Sequence, residues 1–268
     1  INGNQIQTAY NVNGEIITQA YDINGNPLIS YDLAVMTYNV QRFSGRNANQ
    51  AMQERILQAY QPDIVGLQEL DSGSMPSLGV TLFADYASQY LGSDTNKSGI
   101  VSKYTLTSPA FTEYTQKASE TRGYEKAYIT VNGKQIALFN THMETISSYA
   151  VHVAQMTQLF TDVQTENTFV VLGDFNAETH STNDSEYTDT LKQWVDAGYN
   201  MVNWKDGFVD SWFSGTTVSG SNYKCPCDNI ITSPDISIVL SVYDPIKLEY
   251  ESDAIDHIAV AAYLEVSQ

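Results

Sequence analysis

Phe169-Val170-Val171-Leu172-Gly173-Asp174-Phe175-Asn176 is a four-residue apolar run that ends in a glycine, a carboxylate and an amide. A run so short, apolar without alternation, reads as a strand buried on both faces. Asp174 and Asn176 then stand where that strand leaves the core. Five other places in the chain repeat the arrangement. Asn39 follows Ala34-Val35-Met36-Thr37-Tyr38, Glu69 follows Ile64-Val65-Gly66-Leu67-Gln68, and His142 follows Ala137-Leu138-Phe139-Asn140-Thr141. Asp228-Asn229 precedes Ile230-Ile231, and Asp256-His257 precedes Ile258-Ala259-Val260. Rigid strand ends are good platforms for a site. Taken singly, a strand-end Asp or Asn serves a turn and a histidine sits satisfied at the surface. Together, hard oxygen donors and two histidines indicate metal-assisted hydrolysis.

The flanking sequence supplies the layers such strands need. Leu33 to Asn39 and Ile64 to Leu67 read as strands, with a helix between them on Ala48, Ala51, Met52, Ile56, Ala59 and Tyr60, stopped by Pro62. Leu82, Tyr86, Ala87 and Tyr90 suggest a second helix closing at Gly92. Strands are expected at 100–103, 124–131 and 135–140, the last two joined by Asn132-Gly133. Tyr149, Val153, Met156, Phe160 and Val163 mark a third helix. Tyr187, Leu191, Trp194 and Val195 mark a fourth, with Asn183 and Glu186 at capping-box spacing. Ile230-Ile231, Ile236 to Val242 and Ile258 to Leu264 supply the last strands. Helices among hairpin-linked strands predict an α+β sandwich, two packed sheets with helices outside.

The first thirty residues differ. Ile1-Asn2-Gly3, Val12-Asn13-Gly14 and Ile23-Asn24-Gly25 recur at a period of 11. Asn-Gly between alternating residues signals a hairpin, so residues 1–30 are expected to form a β-meander, an appendage or linker before a domain at 31–268. The unit Tyr-Asp-x-Asn-Gly-Asn resembles repeats of bacterial surface proteins.

The 268 residues carry 13 Lys+Arg against 31 Asp+Glu, a net charge of −18, and are 42% hydrophobic. That supports a sizeable core and excludes a disordered chain. It also argues against tight, nonspecific binding to nucleic acid or anionic membranes unless cations intervene. No apolar run reaches the roughly 18 residues of a membrane span. The first residue is Ile1, which leaves a preceding leader undetermined. Low Lys+Arg content, the repeats and the start at Ile1 point to an extracellular or cell-surface bacterial protein.

The ordered set Thr37-x-Asn39, Gln68-Glu69, Asn140-Thr141-His142, Gly173-Asp174-Phe175-Asn176, Asp228-Asn229-Ile230 and Asp256-His257 resembles the endonuclease/exonuclease/phosphatase superfamily. Gly99-Ile100-Val101-Ser102-Lys103 resembles the family's Gly-x-x-x-Ser-Lys segment, and the likeness runs from Leu33 to Leu264. It implies the deoxyribonuclease I-like fold, two mixed sheets in a four-layer α/β/β/α sandwich. Two departures stand out. The family's Ser-Asp-His becomes Ser252-Asp253-Ala254-Ile255-Asp256-His257, aligned here on Asp256-His257, and the usual Asp-Tyr is Asp228-Asn229.

The resemblance implies a role for each residue. Glu69 would be the principal Mg²⁺ ligand, Mn²⁺ being an alternative, with Asn39 and Asp256 completing or bordering the metal site. Asp174 would orient or deprotonate the attacking water, and Asn176 would hold a phosphate oxygen. His257, steered by Asp228, would donate to the phosphate or transfer a proton. His142 would contact the phosphate on the leaving-group side, and Arg122 is a further phosphate-contact candidate.

Cys225-Pro226-Cys227 is expected to hold two free thiols, being short for a disulfide and lacking partners for zinc. His152 is expected at the helix surface, and Trp212-Phe213 in the core rather than on a lipid-binding hairpin. The expected function is a Mg²⁺-dependent phosphodiesterase, a secreted nuclease acting as a monomer on nucleic acid. The alternatives are a phosphatase or sphingomyelinase-like phosphodiesterase of the same family, or a noncatalytic binding module on the same fold.

Overall fold

The computed structural model describes residues 30–40, 60, 62–70, 86–205, 209–213, 224–243 and 256–267. The Asn-Gly repeats, most of the expected helix at 48–60, residues 71–80 and 214–223 and the Ser252–Ile255 departure lie outside these residues. Strands β1 (Leu33–Asn39), β2 (Ile64–Gln68), β3 (Ser88–Leu91), β4 (Gly99–Ser102), β13 (Ile236–Tyr243) and β14 (Val260–Val266) form one sheet, ordered β13-β14-β1-β2-β4-β3. Strands β5 (Thr107–Glu113), β6 (Gly123–Val131), β7 (Lys134–His142), β8 (Phe169–Asp174), β9 (Asn200–Met201) and β12 (Asp228–Thr232) form the second, ordered β5-β6-β7-β8-β12-β9. Two short strands, β10 (Trp212–Phe213) and β11 (Lys224–Cys225), pair beside them.

Each sheet is mixed, because β1 runs parallel to β2 and β7 parallel to β8 while the other pairs are antiparallel. β1, β2 and β8 are buried at every position, as their unbroken apolar runs require. Leu33, Val35, Ile64 and Ile100 of the first sheet meet Leu138, Val170, Leu172 and Ile230 of the second, a core with each of these side chains under 1% exposed. Each such side chain contributes about 1.5–3 kcal/mol of burial free energy. The sheets lie in close contact at Gly66, where an added Cβ would lie 2.4 Å from Asn140 Oδ1 and 2.8 Å from Leu172 Cβ.

Helix α1 (Tyr149–Val163) covers the outer face of the second sheet with Met156, Leu159 and Val163. Its buried stripe is His152, Gln155, Met156, Leu159 and Val163, rotated from the expected one, and Tyr149 is exposed. His152 is therefore not a surface residue. It is fully buried, and its Nδ1 lies 2.7 Å from the Glu144 carbonyl, which ties the loop after β7 to the helix. On the outer face of the first sheet, Met36, Tyr38, Val65 and Leu67 pack with helical Tyr60.

Two helix expectations need correction. Residues 88–91 form a strand, β3, paired with β4. The tyrosine spacing imitates a helical face, but Gly92 follows with the Glu125 carboxylate packed against it, which no larger residue would allow. The helix expected on Tyr187 to Val195 is two short ones, α2 (Ser185–Asp189) and α3 (Lys192–Asp196), broken at Thr190, whose backbone leaves the helical region. The cap is Asp184 rather than Asn183, its Oδ1 accepting from Tyr187 N at 2.8 Å, while Glu186 accepts from Glu178 N.

Candidate active site

The two parallel pairs end at one rim of the sandwich, and β12 and β14, antiparallel to their neighbours, start there. Register fixes the result: His142 pairs with Asp174, Asp228 pairs with Asp174, and Asn39 pairs with Gln68. His257 stands three residues before Val260, the partner of Thr37. Thus six segments far apart in sequence deliver their polar ends to one place.

Asp174 is the hub. It is 1% exposed, and its Oδ2 accepts from Asn39 Nδ2 at 3.0 Å. The same oxygen lies 3.5 Å from His142 Nε2 and 3.6 Å from His257 Nε2. Its other oxygen accepts from Asn176 N at 2.9 Å. Asn39 Nδ2 also reaches Glu69 Oε1 at 3.4 Å, and Glu69 is 3.9 Å from His142 Nε2. Glu69 and Asn176 both have positive φ, 53° and 48°, a strained conformation typical of residues aimed at a site. Asn176 Nδ2 donates to the Met143 carbonyl at 2.8 Å.

His257 Nδ1 is 2.8 Å from Asp228 Oδ2. Burial opposes a charge on His257, but the Asp228 and Asp174 carboxylates overcome it and raise the ring to about 10. Asp174 moves upward as well, driven by burial against the pull of His257 and reinforced by Asp228. The His142 ring moves the other way, well below its ordinary value, through burial and the adjacent Arg122 charge. Arg122 is 5% exposed and is placed on His142 Nδ1 and Glu120, not in open solvent. Asp256 Oδ2 accepts from Trp212 Nε1 at 3.1 Å.

Among the described residues, Asp174, Asp228 and His257 are the group whose ligand atoms all lie within 4.8 Å of one another. A buried Asp/Asp/His group of this kind could hold a metal ion. The expected set of Glu69, Asn39 and Asp256 borders it, Asn39 through Asp174, Glu69 through Asn39, and Asp256 as the neighbour of His257. The chemistry of these donors suits a hard divalent cation. Three carboxylates, Asp174, Asp228 and Asp256, act on the His257 ring, and the buried Oδ1 atoms of Asp228 and Asp256 have no hydrogen-bond partner among the described residues.

Several supporting residues escaped the sequence reading. Asn140 Nδ2 donates to Glu125 Oε2 at 2.8 Å, and its Oδ1 accepts from Gln68 Nε2 at 2.7 Å, so two motif residues brace the sheets beneath the rim. Asn203 donates to the Pro226 and Asp228 carbonyls, and Ser211 Oγ accepts from Asp228 N. Trp212, bridged to His257, is part-exposed at the site rather than in the core. Cys225 and Cys227 are not free thiols but a disulfide, their Cα atoms 5.3 Å apart, a span within normal disulfide reach. The Cys227 carbonyl accepts from Phe175 N, between Asp174 and Asn176. Single Asn, Ser and Trp residues in or beside elements this short carry no periodic signal in the sequence.

The fold is shared with solved structures of low sequence identity. TDP2 of D. rerio, complexed with a single strand DNA product, is 19% identical with a TM-score of 0.71, over 87% of this chain and 99% of that one. An endonuclease/exonuclease/phosphatase from Beutenbergia cavernae is 17% identical with a TM-score of 0.70, over 89% and 72%. The human Nocturnin catalytic domain with bound sulfate anion is 17% identical with a TM-score of 0.69, over 90% and 95%. No curated protein matches the chain. Residues 36–253 match the model of the endonuclease/exonuclease/phosphatase family, and the chain belongs to that family of hydrolases, a superfamily of metal-dependent phosphoesterases.

Proposed function

We propose that this chain is a secreted, Mg²⁺-dependent phosphodiesterase that hydrolyses nucleic acid. The observation that carries the reading is the convergence of Asn39, His142 and His257 on one oxygen of Asp174, in a buried and strongly acidic site. Glu69, Asp174, Asp228 and Asp256 are the residues that would hold the cation, with Asn39 at their border. When bound, the cation neutralises the carboxylates and supplies Lewis-acid stabilisation of charge on phosphate oxygens.

The protein's own groups supply the rest. Asp174, fixed by Asn39 and by Asn176 N, orients the attacking water and takes its proton. His257, held charged by Asp228, gives a proton from Nε2 to the leaving oxygen. His142 Nε2 and Asn176 position non-bridging oxygens. The single strand DNA product in the TDP2 complex supports nucleic acid as substrate, and the sulfate on Nocturnin supports a tetrahedral anion. The Cys225–Cys227 disulfide and the acidic composition support an oxidising, extracellular setting. We place catalysis in residues 31–268 and an appendage in 1–30.

A Mg²⁺-supplemented panel of plasmid DNA, single-stranded DNA, RNA, sphingomyelin, inositol phosphates and bis(p-nitrophenyl) phosphate tests this. Cleavage of DNA or RNA in preference to the others is expected. Preference for sphingomyelin or inositol phosphates would move the assignment to lipid or sugar phosphates, and no turnover on any of them would overturn it.

A further inference from the structure

The two histidines of the site present Nδ1 to opposite kinds of partner. His257 Nδ1 faces Asp228 Oδ2 at 2.8 Å. An ionised carboxylate only accepts, so His257 Nδ1 carries a hydrogen. His142 Nδ1 faces an amino nitrogen of the Arg122 guanidinium. Arginine only donates, so His142 Nδ1 must keep its lone pair, and the ring proton belongs on Nε2. Both Nε2 atoms nevertheless converge on Asp174 Oδ2, at 3.5 Å for His142 and 3.6 Å for His257.

We infer that Arg122 is a positioning residue that fixes His142 as the Nε2–H tautomer, making it a standing hydrogen-bond donor to the reacting phosphate and leaving proton exchange to His257. This rests on the phosphodiesterase reading above. Arg122 is built to hold the position. It immediately precedes Gly123, which pairs with His142 across β6 and β7, so backbone register sets the guanidinium beside the ring. Its far side is anchored by Glu120 Oε2 at 2.8 Å, and the side chain is almost fully enclosed. Each of its amino groups is held by a protein partner, one by His142 Nδ1 and the other by Glu120 Oε2. The sequence alone suggested direct phosphate contact, and the geometry routes that influence through His142.

The tautomer is visible without turnover. Long-range ¹H–¹⁵N correlation on protein labelled at its histidine rings separates the Nδ1–H, Nε2–H and doubly protonated patterns, with His142→Gln assigning the signal. In cation-free protein at neutral pH, His142 is expected to show Nε2–H. Arg122→Met should convert that signal to a mixture of patterns and lower kcat on bis(p-nitrophenyl) phosphate by about 10²-fold, the worth of one hydrogen-bond donor to developing oxygen charge, with a smaller change in KM. Arg122→Lys, still a donor, should restore Nε2–H. An Nδ1–H or doubly protonated His142 in the wild type overturns the inference. So does an Arg122→Met protein that loses activity with the ring pattern unchanged, since that means direct phosphate contact. Should Arg122→Met fail to fold, the wild-type and Arg122→Lys spectra decide. Absence of turnover on every phosphodiester would overturn the functional reading alone, because the spectrum judges the tautomer independently.

Discussion

His257 Nδ1 and Asp228 Oδ2 lie 2.8 Å apart although 29 residues separate them, and both are almost fully buried. The pair should behave as a unit. Asp228→Asn removes the negative charge that favours the charged ring and replaces an acceptor-only group by an amide that can also donate, so the tautomer is no longer fixed; in a serine-protease triad the same change lowers turnover by roughly 10⁴. A loss of about 10²–10³ is expected here, since a bound cation shares the stabilisation of the transition state. The double variant Asp228→Asn/His257→Ala should be little slower than His257→Ala, and kcat measured across the cycle checks it. Multiplying losses would mean that the residues act independently.

Glu69 borders the hub through Asn39 and sits at positive φ, aimed at the site. Glu69→Gln keeps the shape and deletes one charge. Mg²⁺ binding, followed by calorimetry, should weaken by at least about 10-fold, within the range seen when metal-supporting groups are removed. The melting temperature without cation should stay near wild type.

Gly66 is a point of close contact between the two sheets, and Asn140 Oδ1 occupies the space a side chain would need. Gly66→Ala should destabilise the fold by about 1–3 kcal/mol, the ordinary cost of overpacking, measured by denaturant unfolding. Because Asn140 braces Gln68, next to Glu69, activity should fall further than stability alone explains.

The central strands were legible because burial on both faces leaves an unmistakable apolar run, as in Val170 to Leu172. The polar residues that end those runs were legible for the same reason. What failed was local amphipathicity without burial context. Tyr86 and Tyr90 mimic a helical face, yet 88–91 pairs with β4, and β5, largely exposed at a sheet edge, has no pattern to read. His152 looked like surface because a histidine gives no hydrophobic signal, although its place beside Gln155 and Met156 puts it inside. The Cys225–Cys227 bridge was missed because sequence separation says little about backbone extension. The partners of site residues, such as Arg122 on His142, depend on register between strands and become visible only in three dimensions.

The histidines also shape stability against pH. His257 is raised from 6.5 to about 10, after burial is outweighed by Asp228 and Asp174, so the native state holds a proton that the unfolded chain has released. That contribution is complete below 6.5 and is lost as pH rises toward 10. His152 is lowered from 6.5 by burial, so it resists the proton that the unfolded chain binds, and stability falls as pH drops below 6.5. Melting temperatures in chelator should therefore decline on both sides. His257→Gln should flatten the alkaline decline, and His152→Gln should make the acidic one shallower, His142 carrying the rest of it; identical profiles for wild type and variants would contradict these environments.

The account stands or falls on Asp174 as the centre of a hydrolytic site. The direct measurement is the rate of DNA cleavage by Asp174→Asn at saturating Mg²⁺, beside wild type, on protein shown by thermal melting to be folded. Asparagine can still accept from Asn39, but it cannot take the proton of the attacking water, and it removes one charge from the cation's surroundings. A loss of at least about 10³-fold is predicted, combining the worth of general-base catalysis with weakened electrostatic stabilisation. A folded Asp174→Asn protein that cleaves DNA within a few-fold of wild type would contradict the account.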